Sequence, residues 1–240
     1  MSRRAPRRVA VIGALLLSAA CAGNTPQVDP ATLPPNTLSP EESRTGWRLL
    51  FDGVTTAGWH VYNEAGRVRG WYAIDGVLVG DGTGPDLMTD RQFDTFELEL
   101  EWKVGPRGNS GVLFWAHEAS EAAYQNAPEI QVLDNPGYPT LDSLHLAGAI
   151  YDLYPAPRSA AKPAGEWNRL FIETNRGRVK VWLNGTMLHD VDFDSDETKA
   201  RIANSKFKDW ITFGRTRRGY IGLQSHSDSV WYRNIKIRGR

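Results

Sequence analysis

The stretch from Gly219 to Ile237, which reads GYIGLQSHSDSVWYRNIKI, carries the strongest indication of the fold. It holds two runs of alternating side chains, residues 220–223 and 230–237, that are rich in β-branched and aromatic residues. Such alternation is typical of paired β-strands. The connector between the runs, residues 225–229, consists of turn-forming residues and therefore predicts a loop at the rim of a sheet.

The rest of the chain repeats this pattern, with short strand-like runs separated by Gly, Pro, Asn and Asp. In residues 96–103, apolar side chains alternate with three Glu and one Lys, which predicts a strand that buries one face. Asn184-Gly185 is a strong hairpin signal, and residues 195–205 predict a helix. The pattern favours an all-β fold, a two-sheet antiparallel β-sandwich of the jelly-roll type with one short helix. The predicted strands before the closing pair are 47–51, 71–79, 96–104, 111–115, 129–133, 148–151, 167–173 and 179–183.

The first twenty residues, 1–20, do not fit this pattern. Four arginines precede an apolar run that is too short to span a bilayer, which predicts an export signal. Cys21 is the only cysteine and follows this run as in a bacterial lipobox, where the thiol is lipidated, although Ser18 departs from that pattern. The alternative is ordinary cleavage nearby with an incidental cysteine. We expect an exported lipoprotein of the periplasm or outer membrane, with a flexible tether over residues 21–44 and one domain over residues 45–240.

Charge and cysteine content limit the classes of function. The whole chain has 28 basic and 28 acidic residues. Removal of a signal with four arginines leaves 24 basic residues against 28 acidic ones, a formal charge of −4. The chain has no basic stripe interleaved with aromatic residues, so nucleic acid is not expected as a partner. Contact with a membrane is expected only through the lipid anchor.

Residues 129–134, which read EIQVLD, are the most specific candidate for a site. In a strand, Glu129 and Gln131 lie on one face, and an acid and an amide among apolar neighbours predict the polar floor of a pocket. Glu129 is a candidate general base, or a ligand for a sugar hydroxyl or a metal, with a structural ion pair as the alternative. Asp134 fits a binding role and the start of a turn equally well.

Other candidates lie at the ends of predicted strands. Asn109, in the glycine-rich segment 105–111, presents an amide to a ligand, although a tight structural turn is the simpler interpretation. Trp115 and Tyr151 each lead into polar loops, where a ligand-stacking role and a packing role are equally supported.

Among the five histidines, His226 has the strongest claim, because it lies beside Gln224 in the rim connector. His145 and His117 come next. The chain has no HxH or HExxH spacing, so motifs predict no metal site, although a site assembled from distant residues stays open. No G-x-S-x-G motif is present to favour a Ser/His/Asp hydrolase.

In their order along the chain, these motifs resemble the 3-keto-disaccharide hydrolase domain family over about residues 45–238. The resemblance implies a concanavalin A-like jelly roll and cleavage of a small-molecule carbohydrate, a glycoside whose sugar carries a ketone at C3. The matching pieces are Leu50-Phe51-Asp52-Gly53 with Gly58-Trp59, Asn109-Ser110-Gly111, residues 129–134, residues 148–152, residues 165–168, residues 182–185, and residues 222–226 with 232–235.

The chemistry that the resemblance implies needs a base, an acid and a group that stabilises an enolate oxygen. A C3 ketone acidifies the proton on C2, so a base can remove it and expel the anomeric substituent, and water completes a net hydrolysis. Glu129 and His226 are the candidates for base and acid, in either assignment. A bound divalent cation would polarise the ketone. Hydrogen bonds to substrate hydroxyls are expected from Asn109, Gln131 and Gln224.

For two basic residues, Lys206 and Arg217, a solvated surface charge is the simpler interpretation, and stabilisation of the oxyanion is the alternative. Trp115 stands where many family members carry a basic or polar residue, so its contact with substrate is expected to differ from theirs. Two other classes of function stay open. One is a non-catalytic carbohydrate-binding, lectin-like module on the same fold, and the other is an endo-acting glycoside hydrolase, for which only Glu129 is nominated.

Overall fold

The computed structural model describes Met1 and residues 33–239. Within this range the chain forms two antiparallel sheets that share one core, as the alternation predicts. Two helices accompany them, α1 over Pro40–Arg44 and α2 over Asp196–Ala203. No helix among the described residues is long and apolar enough to cross a membrane. The strands are β1 (Arg48–Leu49), β2 (Trp59–Val61), β3 (Trp71–Ile74), β4 (Val77–Gly80), β5 (Leu87–Thr89), β6 (Phe96–Val104), β7 (Asn109–Ala116), β8 (Glu129–Leu133), β9 (Asn168–Asn175), β10 (Arg178–Leu183), β11 (Thr186–Asp192), β12 (Tyr220–Leu223) and β13 (Val230–Gly239).

The larger sheet has eight strands in the order β11-β10-β9-β6-β13-β4-β3, with β1 paired to β13. Its strand β6 follows the predicted alternation. Leu98, Leu100 and Trp102 are buried in the core, while Glu99 and Glu101 lie on the outer face. This sheet therefore provides an apolar wall against which the second sheet packs.

The smaller sheet has five strands in the order β2-β5-β12-β7-β8. Phe114 and Val132 belong to the core between the sheets. Leu113, Glu129 and Gln131 alternate with such residues and lie on the opposite, outer face. The acid and amide nominated from the sequence are thus placed on one face, outside the core.

Several elements differ from the prediction. The two closing runs do not pair with each other, because β12 joins the smaller sheet and β13 the larger one. The predicted strand 71–79 is a hairpin in which Asp75 and Gly76 both adopt positive φ, as in a tight turn. Residues 148–151 contribute only isolated bridges at Ile150. Strands β2, β5 and β11 lie outside the predicted runs.

The predicted helix is present as α2, whose first turn is capped by the Ser195 side chain accepting from the backbone of Thr198. A second helix, α1, has five residues and precedes β1. The fold therefore has two short helices where the sequence predicted one.

The first part of the described chain is attached to the larger sheet. The Asn36 backbone N–H donates to Asn234 Oδ1 at 2.6 Å, and Asn234 returns a bond to Asn36 Oδ1 at 2.9 Å. Glu42 of α1 pairs with Lys236 of β13. The tether predicted over residues 21–44 is therefore too long at its C-terminal end, since Asn36 already belongs to the domain.

Three predictions lie wholly or almost wholly outside the described residues. They are the lipidation of Cys21, the first part of the tether and the export signal, of which only Met1 is described.

Candidate active site

A pocket of about 340 Å³ opens on the outer face of the smaller sheet. Its floor comes from β7 and β8, its wall from the 3-10 helix Lys206–Asp209, and its rim from the residues that follow β12. The pocket brings together seven of the residues nominated as catalytic or substrate-binding from the sequence. Its lining consists of Asn109, Tyr124, Glu129, Gln131, Tyr151, Lys206, Trp210, Gln224 and His226.

Glu129 lies at the floor of the pocket with 6% of its surface exposed. Its carboxylate accepts a hydrogen bond from Gln224 Nε2 at 3.3 Å, and the Gln131 amide, oriented to satisfy its neighbours, donates to Oε1 at 3.0 Å. Gly111 leaves room for this arrangement, because a Cβ there would lie 2.1 Å from Glu129 Oε1. Burial raises the pKa of Glu129 to about 8, against the opposing effect of the Lys206 ammonium. Glu129 can therefore exchange a proton near neutral pH.

Lys206 supplies a positive charge to the pocket. Its Nζ lies 4.0 Å from the centroid of the Tyr151 ring, and its backbone N–H donates to Asp152 Oδ2 at 2.7 Å. Burial lowers the pKa of Lys206, while the carboxylates of Glu129 and Asp152 oppose that change. The ammonium thus lies on an aromatic face beside the acid, while Lys206 as a residue remains exposed, so the solvated surface charge that the sequence analysis considered is not contradicted.

The Asn109-Ser110-Gly111 motif of β7 links the pocket to the core. Asn109 lines the pocket, whereas Ser110 is buried on the other face of the strand. Ser110 Oγ donates to the backbone oxygen of Gln224 at 2.6 Å and lies 2.8 Å from the hydroxyl of Tyr232, on the larger sheet. The Gln224 backbone N–H donates in turn to the oxygen of Gly111 at 2.9 Å. The motif therefore fixes the rim of the pocket relative to both sheets.

His226 lies at the exposed end of the rim, two residues after Gln224. It lines the same cavity as Glu129, so the two residues nominated for base and acid are brought together. Between the two rim residues, the backbone N–H of Ser225 donates to Asp86 Oδ1 at 2.9 Å.

Aromatic side chains complete the wall. Tyr151 packs against the ring of His145, with 4.7 Å between centroids. Tyr124 and Trp210 line the same pocket and lie 5.5 Å apart, ring to ring. Burial, with a further contribution from Glu129, raises the pKa of Tyr151, so its hydroxyl keeps its proton at neutral pH. The sequence analysis does not nominate Tyr124 or Trp210, because they lie in irregular segments without a periodic pattern.

Trp115 and Arg217, which the sequence analysis nominated as possible substrate contacts, do not line this pocket. Trp115 is fully buried, with a φ of 58° at a bulge that turns it and the preceding Phe114 toward the core. Arg217 lies over the Trp115 ring and donates to Asp194 Oδ1 at 2.8 Å. The nomination of both is therefore wrong: Trp115 packs in the core, and Arg217 forms an ion pair with Asp194 away from the pocket.

Asp134 is also outside the pocket. It is buried, its Oδ2 accepts from the backbone N–H of Arg107 at 2.8 Å, and it precedes a 3-10 turn, in agreement with the turn interpretation. Of the two weaker histidine candidates, His117 contacts Thr216 and His145 supports Tyr151 from behind. Neither lines the pocket.

The charged groups of the pocket suit acid–base chemistry. Among the described residues, no group of three or more His, Cys, Asp or Glu side chains is arranged to hold a metal ion. The divalent cation allowed by the sequence analysis thus has no ligand set of this kind in residues 33–239. Glu129, His226 and Lys206 together offer two proton-exchanging groups and one ammonium around a cavity large enough for a sugar ring.

The chain is similar to proteins of known family. The sequence profile of the 3-keto-alpha-glucoside-1,2-lyase-like domain matches residues 46–238. A 3-keto-disaccharide hydrolase of Bacteroides thetaiotaomicron is 33% identical over 226 residues, which cover 80% of this chain and 78% of that relative. A crystal structure of a protein assigned as a glycosyl hydrolase from Parabacteroides distasonis has a TM-score of 0.82 and 32% identity, and the match covers 86% of this chain and 100% of that one. A second structure from that organism has a TM-score of 0.67 and 27% identity, covering 81% and 99%.

Proposed function

The chain belongs to the 3-keto-alpha-glucoside-1,2-lyase-like domain family, and from that premise we propose that it cleaves 3-keto-glycosides by elimination, with Glu129 as the base. The observation that carries the proposal is the buried Glu129 carboxylate, held by amide groups on a pocket floor that also faces an ammonium. The relatives named as a 3-keto-disaccharide hydrolase and as glycosyl hydrolases support a carbohydrate as the ligand.

In the first half of the reaction, two bonds of the sugar break. Ionised Glu129 takes the proton from C2, whose acidity comes from the ketone at C3, and the electron pair moves to the C3 oxygen as an enolate. Lys206 stabilises that oxygen, because an ammonium that is already in place needs to move little as negative charge develops on the oxygen. The electron pair then forms the C1–C2 double bond, and the bond from C1 to the leaving oxygen breaks.

His226 is assigned to the leaving oxygen, to which it gives a proton as the C1–O bond breaks. In the second half, water adds to the enone. Its hydroxyl joins C1, its other proton goes to His226 and restores the acid, and Glu129 returns a proton to C2, so the net reaction consumes one water and needs no oxidant. Asn109, Gln131 and the Tyr151 hydroxyl are placed to bind the sugar hydroxyls.

The proposal is tested by incubating the protein with a 3-keto-glucoside and with its unoxidised parent, each with and without a chelator. We expect cleavage of the keto compound alone, together with exchange of its C2 proton for solvent deuterium. Cleavage of both compounds would identify an ordinary glycoside hydrolase instead. Binding without cleavage would identify a carbohydrate-binding module, and loss of activity with the chelator would assign polarisation of the ketone to a metal ion.

We also propose that the protein is exported and anchored by a lipid on Cys21, in the periplasm or outer membrane. This proposal is supported by the basic and apolar N-terminal segment that precedes the single cysteine. Labelled fatty acid should enter the wild-type protein and not the Cys21→Ser variant. An unlabelled wild-type protein in the soluble fraction would contradict the anchor.

A further inference from the structure

Asp86 is an acidic side chain beside the pocket to which the proposed reaction gives no role. It precedes β5 directly and is half-buried. Its Oδ1 accepts the Ser225 backbone N–H at 2.9 Å. Ser225 lies between Gln224, whose side-chain amide donates to Glu129, and His226, which lines the same pocket. One carboxylate therefore anchors the middle of the segment that carries two candidate site residues.

The loop before Asp86 also fits closely against this rim segment, defined here as residues 224–228. A Cβ on Gly82 would lie 2.5 Å from the carbonyl carbon of Ser227, so only glycine allows the observed contact. Ser225 Oγ is buried and has no hydrogen-bond partner among the described residues. The hydrogen bond from the Ser225 backbone to Asp86 is thus the polar contact that holds Ser225 within the rim segment.

Asp86 also acts on the pocket through its charge. Burial raises the pKa of Asp86 to about 6, while the bond from Ser225 and the charge of His226 act in the opposite direction. The Asp86 carboxylate contributes to the raised pKa of Glu129, after burial and alongside the opposing Lys206. The other titratable groups that face these two carboxylates are Tyr62, Tyr151 and Tyr232.

We propose that Asp86 is a positioning residue of this site, which fixes the rim segment so that Gln224 and His226 face Glu129 and which places a second negative charge beside that base. The kinetic consequences of this role rest on the proposed function. The hydrogen bond between Asp86 and the rim segment does not depend on it. Asp86 is close to the acid–base pair without itself being assigned a bond to substrate.

The test separates the hydrogen bond from the charge. Asp86→Asn keeps an oxygen acceptor for Ser225 and removes the charge, whereas Asp86→Ala removes both. Asp81→Asn is the matched control, because Asp81 lies on the same loop and accepts from Thr83 instead of the rim. Two measurements are made on each variant: the pH dependence of kcat/KM on the 3-keto-glucoside, and the titration of the Glu129 carboxyl carbon by NMR, with Glu129→Gln used to assign the signal.

We expect Asp86→Asn to move the Glu129 titration and the rising limb of kcat/KM to lower pH, with kcat on the plateau changed less than about threefold. Asp86→Ala should lower kcat/KM roughly 10- to 100-fold, as a displaced catalytic group does, and should speed amide exchange over residues 224–228. Asp81→Asn should match the wild type in all of these measurements.

An unchanged Glu129 titration in Asp86→Asn would overturn the electrostatic part of the proposal. Wild-type kinetics and amide exchange in Asp86→Ala would overturn the positioning part. If that variant does not fold, exchange of the Ser225 amide in the wild-type protein decides it, since an amide held by Asp86 should be protected and a rapidly exchanging one would contradict the proposal. A wild-type protein that fails to turn over the 3-keto-glucoside would instead refute the proposed function. The NMR titration and the amide exchange would still decide whether Asp86 shapes the pocket.

Discussion

The two sheets present outward-facing glutamates in opposite surroundings. On the larger sheet, Glu97 pairs with Arg238, and Glu101 accepts from Arg233 Nε at 2.6 Å. On the smaller sheet, Glu129 is also buried, but amide groups hold it in place of a directly paired cation, with Lys206 acting from the pocket wall. Both arrangements come from the same alternation of polar and apolar residues along a strand.

The difference comes from the neighbouring strand. In the larger sheet, β13 places Arg233 directly opposite Glu101, and the other two outward glutamates of β6 also face basic residues. In the smaller sheet, β7 places Leu113 opposite Glu129 and Gly111 opposite Gln131. Cross-strand pairs of opposite charge stabilise a sheet, whereas a buried acid without such a partner costs stability and is typical of a functional site. Identical residue types thus form ion pairs on one face and, in the proposed reaction, serve chemistry on the other.

The strongest way to break this comparison is to make the same substitution on both faces. Glu129→Gln should lower kcat/KM on the 3-keto-glucoside by about 10³-fold, since a positioned general base typically contributes between 10² and 10⁴. Glu101→Gln, the matched control, should leave kcat/KM within about twofold, because Glu101 bonds to Arg233 on the far sheet. Equal losses in both variants would show that the effect is one of folding, and no loss in Glu129→Gln would remove it as the base.

The second prediction concerns stability and reverses the usual sign. Glu129 ionises at its ordinary pKa of 4.5 in the unfolded chain and at about 8 in the folded protein. Below pH 4.5 both states are protonated; as the pH rises to 8, the unfolded state ionises first and the folded protein loses stability. At about 1.4 kcal/mol per pKa unit, the loss reaches up to about 5 kcal/mol by pH 8.5. The free energy of unfolding of Glu129→Gln, minus that of the wild type, should therefore be larger at pH 8.5 than at pH 4.5.

Urea unfolding of both proteins at the two pH values measures this change. Glu101→Gln is again the control, because its removal should not produce a gain in stability at high pH. A wild-type free energy of unfolding that is as insensitive to pH as that of Glu129→Gln would contradict the raised pKa of Glu129.

The comparison also explains how much the sequence could predict. The faces of β6 and β8 follow from a local period of two, so Glu129 and Gln131 could be placed together from the sequence alone. Trp115 could not, because a bulge opposite β12 interrupts that period and turns the side chain inward. Lys206 could be named as a candidate together with Arg217, but no local pattern predicts that Lys206 alone lines the pocket, because the position of its short 3-10 helix depends on contacts far along the chain.

The assignment of the closing strands shows the same limit. Both closing runs were recognised as strands from their alternation. That β12 and β13 enter different sheets depends on which strands lie beside them, β7 and β5 for the first and β6 and β4 for the second. The loop between them could thus be recognised as a rim, while its anchoring by Asp86 required the structure.

The third prediction sharpens the comparison at the residue that makes room for the acid. Gly111→Ala would place a Cβ 2.1 Å from the present position of Glu129 Oε1, so the carboxylate has to move. We expect kcat/KM to fall roughly 10- to 100-fold, as for a catalytic group displaced by about 1 Å. Gly105→Ala is the matched control, because a Cβ there meets no atom within 4 Å, and its kcat/KM should stay within about twofold. Similar activity in both alanine variants would show that Glu129 adapts freely.

The smallest expected effect belongs to the paired face. Glu99 accepts from Arg169 Nη2 at 2.7 Å and lies 3.1 Å from Lys236 Nζ. Glu99→Gln should lower the free energy of unfolding by about 1 kcal/mol, and by less in high salt, since ion pairs near a surface contribute little and are screened. Urea unfolding at pH 8.5 in low and high salt measures it. The sign is opposite to that expected for Glu129→Gln at the same pH, because one substitution removes a charge that has cationic partners and the other a charge that burial opposes. Two changes of the same sign would mean that the two faces do not differ in the way described.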